Sequence, residues 1–122
     1  MITIDEMQTM LDQLAEELPE VFYKELNGGI ILLPEAKFHE KSLQDDLFIM
    51  GEYYKGGNLG RYIVIYYGSF IRVYGNQSNE QMKEQLGHTL KHEFRHHLES
   101  LGGEKDLEVV DAITINKYLE SK

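Results

Sequence analysis

The stretch from Ser78 to Leu101 constrains the chain more than any other, because its apolar residues repeat at only one period. Ser78 with Gln81 fits a capping box, and Gly102-Gly103 stands where such a helix would stop. At about 100° of rotation per residue, Met82, Leu86, Leu90, Phe94, Leu98 and Leu101 fall on one side, within about 80° of Leu90. The spacing predicts a helix that buries this stripe. His88, His92 and His96 fall on the opposite side, with Glu93 flanking them.

His92, Glu93 and His96 spell H-E-x-x-H. Two imidazoles four residues apart lie about one turn apart on a helix face, so both can reach one cation. A glutamate beside the first can then act as general base on a water at that cation. Histidines off the packing stripe are poorly explained as core residues. The bland alternative is a polar face that carries them by chance, and the spacing with its adjacent carboxylate favours metal. His97 lies with the apolar stripe, as a core or supporting residue. His88 could be a ligand, a supporting partner or a solvated side chain.

The rest of the chain must provide a scaffold for that helix. Met7, Met10, Leu11, Leu14, Ala15 and Leu18 recur at helical spacing, with Thr3 or Asp5 as N-cap and Pro19 at the end. After the Asn27-Gly28-Gly29 turn, Ile30 to Leu33 reads as a buried strand stopped by Pro34. Residues 35–46 read as loop, Leu47 to Tyr54 as a second strand, and Arg61 to Tyr67 as the strongest strand signal. Phe70 to Tyr74 fits either a helical turn or a return strand. Glu104 to about Leu119 reads as a final helix. The tyrosines at 53, 54, 62, 66, 67 and 74 are assigned to strand packing, and none to catalysis.

Composition narrows the partners. A length of 122 residues fits one domain spanning residues 1–122, with 42% hydrophobic and 27% charged residues as in ordinary globular chains. Without cysteine, only His, Asp and Glu remain as ligands, and disulfides are excluded. A net charge of -9 argues against nucleic acid as the main partner. No stretch has the roughly 20 apolar residues of a membrane span. Nor does the N-terminus read as a signal peptide, so a cytoplasmic location is expected.

His88-Thr89-Leu90 followed by His92-Glu93-x-x-His96-His97 resembles the motif region of the small bacterial zincin-like metallopeptidases, which commonly reads H-T-L-x-H-E-x-x-H-H. The layout is similar too: an acidic N-terminal helix ending in Leu-Pro, a few strands, then the motif helix. The resemblance implies an α+β, minimal zincin-like fold: an N-terminal helix, a sheet of about three strands, the long H-E-x-x-H helix and a C-terminal helix. It also implies a zinc peptidase in which His92 and His96 bind Zn²⁺ and Glu93 is the catalytic base. Many relatives carry a glycine and then an aspartate downstream of the second histidine. Glu99 and Gly102 occupy those positions here, so that third ligand does not carry over.

A third ligand therefore has to be argued from geometry. His92, His96 and Glu99 span about 10 Å of one helix, too far for a single metal with bonds near 2 Å. If the chain reverses at Gly102-Gly103, residues near 108 to 111 return level with the histidines. Glu108, or else Asp111, is then expected as third ligand, ahead of Asp106 and Glu104. The function expected is zinc-dependent hydrolysis of a peptide or protein substrate, with the substrate laid along a strand edge, either Tyr62 to Tyr67 or Phe48 to Tyr53. The alternatives are a non-catalytic or metal-stabilised binding module and, less consistent with the charge, a metal-dependent nuclease.

Overall fold

The computed structural model describes residues 1–41 and 47–104. The architecture is α+β. Helix α1 (Ile4–Glu17) leads through a single 3-10 turn (Glu20–Tyr23) to strand β1 (Gly29–Leu33). Two-residue strands β2 (Lys37–Phe38) and β3 (Phe48–Ile49) precede β4 (Gly51–Lys55) and β5 (Arg61–Tyr66). Helix α2 (Tyr67–Tyr74) and the long α3 (Asn79–Glu104) follow.

Local signals set most of these boundaries. Thr3 caps α1 with a full capping box, its hydroxyl accepting from the Glu6 amide while the Glu6 carboxylate accepts from the Thr3 amide. Ser78 and Gln81 make the same reciprocal pair at the start of α3. The expected strand from Leu47 to Tyr54 is divided at Met50 because its halves serve two sheets. Phe48 and Ile49 pair with β2, whereas Gly51–Lys55 pairs with β5. The segment expected as pure loop thus contributes β2. Phe70 to Tyr74 resolves as helix: Tyr67, Phe70, Ile71 and Tyr74 recur at helical spacing and all pack on the core. Tyr67 accordingly opens α2 and does not close β5.

One expectation is overturned. Helix α3 does not stop before Gly102-Gly103 but runs through both glycines to Glu104. Glycine weakens a helix without forbidding it, and here the chain stays helical past the last residue of the apolar stripe. The reversal at Gly102-Gly103 on which the third-ligand argument rested is therefore absent. Glu108, Asp111 and the expected final helix lie outside the described residues.

The main sheet has the order β1-β5-β4, with β1 parallel and β4 antiparallel to the central β5. Ile63 and Ile65 of β5 are fully buried and face the helices. Against them pack Met7 and Leu11 of α1, Phe22, Phe70, and the α3 stripe Met82, Leu86, Leu90, Phe94 and Leu98. Every residue of the stripe expected from the helical wheel, Leu101 included, is buried. That packing fixes the rotation of α3. Its histidine face is turned along the outer edge of β4.

Candidate metal centre and its cleft

The α3 rotation leaves His92 and His96 exposed one turn apart, their rings edge to face. The Nε2 atoms lie 3.1 Å from each other. A tetrahedral zinc with Zn–N bonds of about 2.0–2.1 Å needs its two nitrogens about 3.4 Å apart. A shift of a few tenths of an ångström would thus let both lone pairs meet one ion. Burial, with smaller contributions from His96 and Arg95, lowers the His92 pKa and favours the neutral, ligating form.

Glu93 differs from its neighbours. It is only 5% exposed; among the described residues its carboxylate makes no hydrogen bond or ion pair, and its oxygens reach the solvent of the cleft. Burial, assisted by the Glu52 charge, pushes its pKa up to about 7. A desolvated carboxyl of this kind, at the cleft wall beside two converging imidazoles, is suited to proton transfer near neutral pH.

The cleft, of about 690 Å³, lies between α3 and the edge strand. Gly51, Glu52, Tyr53 and Lys55 of β4 line one wall, and His92, Glu93 and His96 the other. Gly51 lets the walls approach: a Cβ there would sit 3.0 Å from Thr89 Cγ2 and 3.1 Å from the Val64 carbonyl oxygen. Tyr53 and His97 tie strand to helix. His97 is fully buried, and its Nε2 lies 2.8 Å from the Lys24 carbonyl oxygen, which can only accept. Nε2 therefore carries the proton, and Nδ1 accepts from the Tyr53 hydroxyl at 2.8 Å. Burial also lowers the His97 pKa, in keeping with a neutral ring. Arg61 Nη1 donates to the Tyr53 oxygen and to Ser100 Oγ, closing the chain of contacts.

Glu52, which also lines the cleft, accepts on Oε1 from Lys37 Nζ at 2.6 Å, from Tyr54 at 2.5 Å and from Tyr66 at 2.6 Å. Burial opposes the charge on Glu52, yet these donors outweigh it and hold the carboxyl below its ordinary range. The same burial and hydrogen bond push the Tyr66 phenol up.

The structure thus brings together His92, Glu93 and His96, and places His97 in the core as expected. His88 is exposed at a neighbouring cavity. Glu99 lies on the cleft wall, but among the described residues no third His, Asp or Glu joins the two histidines in one cluster. Of the two strand edges expected to take substrate, β5 is central and paired on both sides, so it offers none. The edge belongs to β4. Gly51 and Glu52 were not singled out in the sequence, although an isolated glycine inside an aromatic strand is a signal of close backbone approach.

These features define a class: an α+β protein with a paired-histidine helix and a buried glutamate beside an edge strand. No protein-family model and no curated protein matches the chain. Among solved structures it is similar to a conserved hypothetical protein from T. thermophilus, with 35% identity and a TM-score of 0.75. The match covers 84% of this chain and 100% of that one, and the chain belongs to the same family as that protein. Among the described residues no helix is long and apolar enough to cross a membrane.

Proposed function

We propose that the protein is a zincin-like, zinc-dependent peptidase. The observation that carries this reading is the conjunction of two Nε2 atoms 3.1 Å apart with a largely desolvated carboxyl, Glu93, that lines the same cleft. His92 and His96 would hold the metal, and among the described residues no third His, Asp or Glu joins them in one cluster. Bound zinc would polarise the scissile carbonyl and make water more acidic. Glu93 accepts a proton from the attacking water as the water oxygen bonds to the carbonyl carbon. The same carboxyl returns that proton to the nitrogen as the C–N bond breaks, releasing a carboxylate and an amine. A cation beside Glu93 would lower its pKa from about 7, keeping it ionised and ready to accept at neutral pH.

The test is metal content. Purified protein loaded with Zn²⁺ and dialysed is expected to retain one equivalent, and His92→Ala to retain none. A well-folded wild type that binds zinc no better than His92→Ala sinks the proposal.

A further inference from the structure

A separate cavity, of about 240 Å³, lies between α1 and α3. Leu14 and Leu18 of α1 and Gly87 and Leu90 of α3 give it an apolar lining, and the exposed Glu84 and His88 stand on its rim. It shares none of these residues with the cleft at His92 and His96. Lys83 Nζ donates to Gln13 Oε1 one turn earlier, tying the two helices together beside the opening. His88 also lines the cavity next to His92 and Glu93, so a molecule bound here would sit one turn of α3 from the histidine pair.

Gly87 is the informative residue. The eight glycines from Gly28 to Gly75 are each required, by a positive φ or by a neighbour within 3.0 Å of where a Cβ would stand. Gly87 is required by neither. It lies inside α3, and a Cβ there would meet nothing nearer than the Leu14 methyls, at 3.4 and 4.0 Å, an ordinary van der Waals distance. Alanine would fit and would favour the helix. What glycine adds at this position is space, in the wall that faces Leu14.

The charges around the opening select what can fill that space. Helix α1 ends here with no basic residue in its last turn, so the helix itself leaves the negative end of its dipole uncompensated. Glu84 makes no ion pair or hydrogen bond among the described residues, whereas Glu17 and Lys91, which also line the cavity, have contacts of their own. An apolar lining with a carboxylate and a helix C-terminus at its mouth suits a cation on an apolar body. A dry cavity of about 150 Å³ holds a benzene ring. The 240 Å³ here leaves room for a ring and a short tail.

We infer that this cavity is a binding site for a small organic cation, a primary amine on an apolar body about the size of a phenylethyl group. The body packs on Leu14, Leu18 and Leu90 in the space that Gly87 leaves, and the ammonium lies at the rim, by Glu84 and the end of α1. Nothing in the site requires zinc or Glu93, so it stands apart from the peptidase reading.

The test titrates three probes of one shape into the full chain: 2-phenylethylammonium, 2-phenylethanol and 3-phenylpropionate, followed by methyl and amide NMR. Saturable shifts are expected at the Leu14 and Leu90 methyls, the Gly87 amide and the His88 ring. The ammonium should bind at least about threefold more tightly than the alcohol, and the carboxylate most weakly. Glu84→Gln, a change at an exposed position, should narrow that preference. Gly87→Met should abolish binding by filling the space, and Gly87→Ala should weaken it while raising the thermal midpoint. Binding should be unchanged in His92→Ala, which removes the metal pair alone. Shifts confined to Gly51, Tyr53 and the two metal-site histidines would place the amine in the other cleft and overturn the inference. So would the absence of saturable shifts, a carboxylate that binds as tightly as the ammonium, or Gly87 variants that both bind like wild type. A Gly87→Ala protein that melts below wild type would overturn it as well, because packing would then demand the glycine.

Discussion

Glu93 and Glu52 line the same cleft, each partly withdrawn from water, and the structure pushes their pKa values in opposite directions. Glu52 accepts three hydrogen bonds on one oxygen and is held ionised below the ordinary carboxylate range. Glu93, more deeply buried, has no such donor and rises to about 7. Burial acts in the same sense on both, so the difference lies in the donors. Around Glu52, a carboxylate is being used to build: it joins β2 to β4 and β5. Around Glu93 the fold tolerates an unfavourable charge at the one place where the histidines converge. A largely desolvated carboxyl that opens onto the cleft without protein donors is suited to proton transfer.

The largest expected effect breaks the Glu93 side. Glu93→Gln keeps the shape of the side chain and removes its basicity. Zinc retention should be unchanged while turnover of any peptide substrate falls about 10²–10⁴-fold, measured as initial rates on zinc-loaded protein. Equal rates in variant and wild type would remove Glu93 from the chemistry.

The same substitution probes the thermodynamic cost of the site. In metal-free protein the folded pKa of Glu93, about 7, lies above its unfolded value, so the folded state binds the extra proton between the two. Stability is therefore greatest below the unfolded pKa and falls as pH rises toward and through 7. The full loss, at pH 8, is about 3 kcal/mol. Urea unfolding in the presence of a chelator should show wild type losing stability between about pH 5 and 8 and Glu93→Gln losing much less. A flat wild-type profile would mean that the carboxyl reaches more water than its exposure indicates.

How much of this was legible in the sequence follows from the range of each interaction. The α3 stripe, the Ser78 capping box, one of the two N-cap candidates of α1 (Thr3) and the off-stripe placement of His92 and His96 depend on residues at most a few turns apart, and all are realised. The break at Met50 and the central position of β5 depend on which strands pair, and pairing joins residues far apart in the chain. The Tyr53–His97 bond spans 44 positions, so no local pattern announces it. Glu52 was overlooked for the same reason: its donors come from three separate strands. The stop expected at Gly102-Gly103 failed differently. Glycine propensity is a weak local preference, and the helix outruns it.

A smaller effect sharpens the Glu52 side. Glu52→Gln keeps an acceptor for the two hydroxyls but removes the charge facing Lys37. A destabilisation of about 1–2 kcal/mol at pH 7 is expected, since charge-assisted bonds become neutral ones. Because the folded pKa of Glu52 is depressed, its contribution is present above the unfolded pKa and is lost as pH falls through the folded value. The gap between wild type and variant should close below about pH 4. The Glu93 titration, followed by carboxyl carbon NMR, should move down in the variant because the Glu52 charge contributes to its rise. An unmoved Glu93 would make burial the sole cause.

The smallest change separates the donors of Glu52 from its charge. Tyr54→Phe removes one hydroxyl from the Glu52 oxygen and keeps the ring, which stacks on Tyr62 at 5.2 Å between centroids. The loss of one hydrogen bond should cost about 1 kcal/mol. The Glu52 pKa should rise toward its ordinary value, because one donor that favours the ionised form is gone. At pH 7 Glu52 nevertheless remains ionised, held by Lys37 and Tyr66. Its charge still acts on Glu93, so the Glu93 titration should stay where it is in wild type. If Tyr54→Phe moved Glu93 as far as Glu52→Gln does, the two carboxyls would be coupled through the position of β4 and not through charge, and the contrast between them would be one of strand geometry.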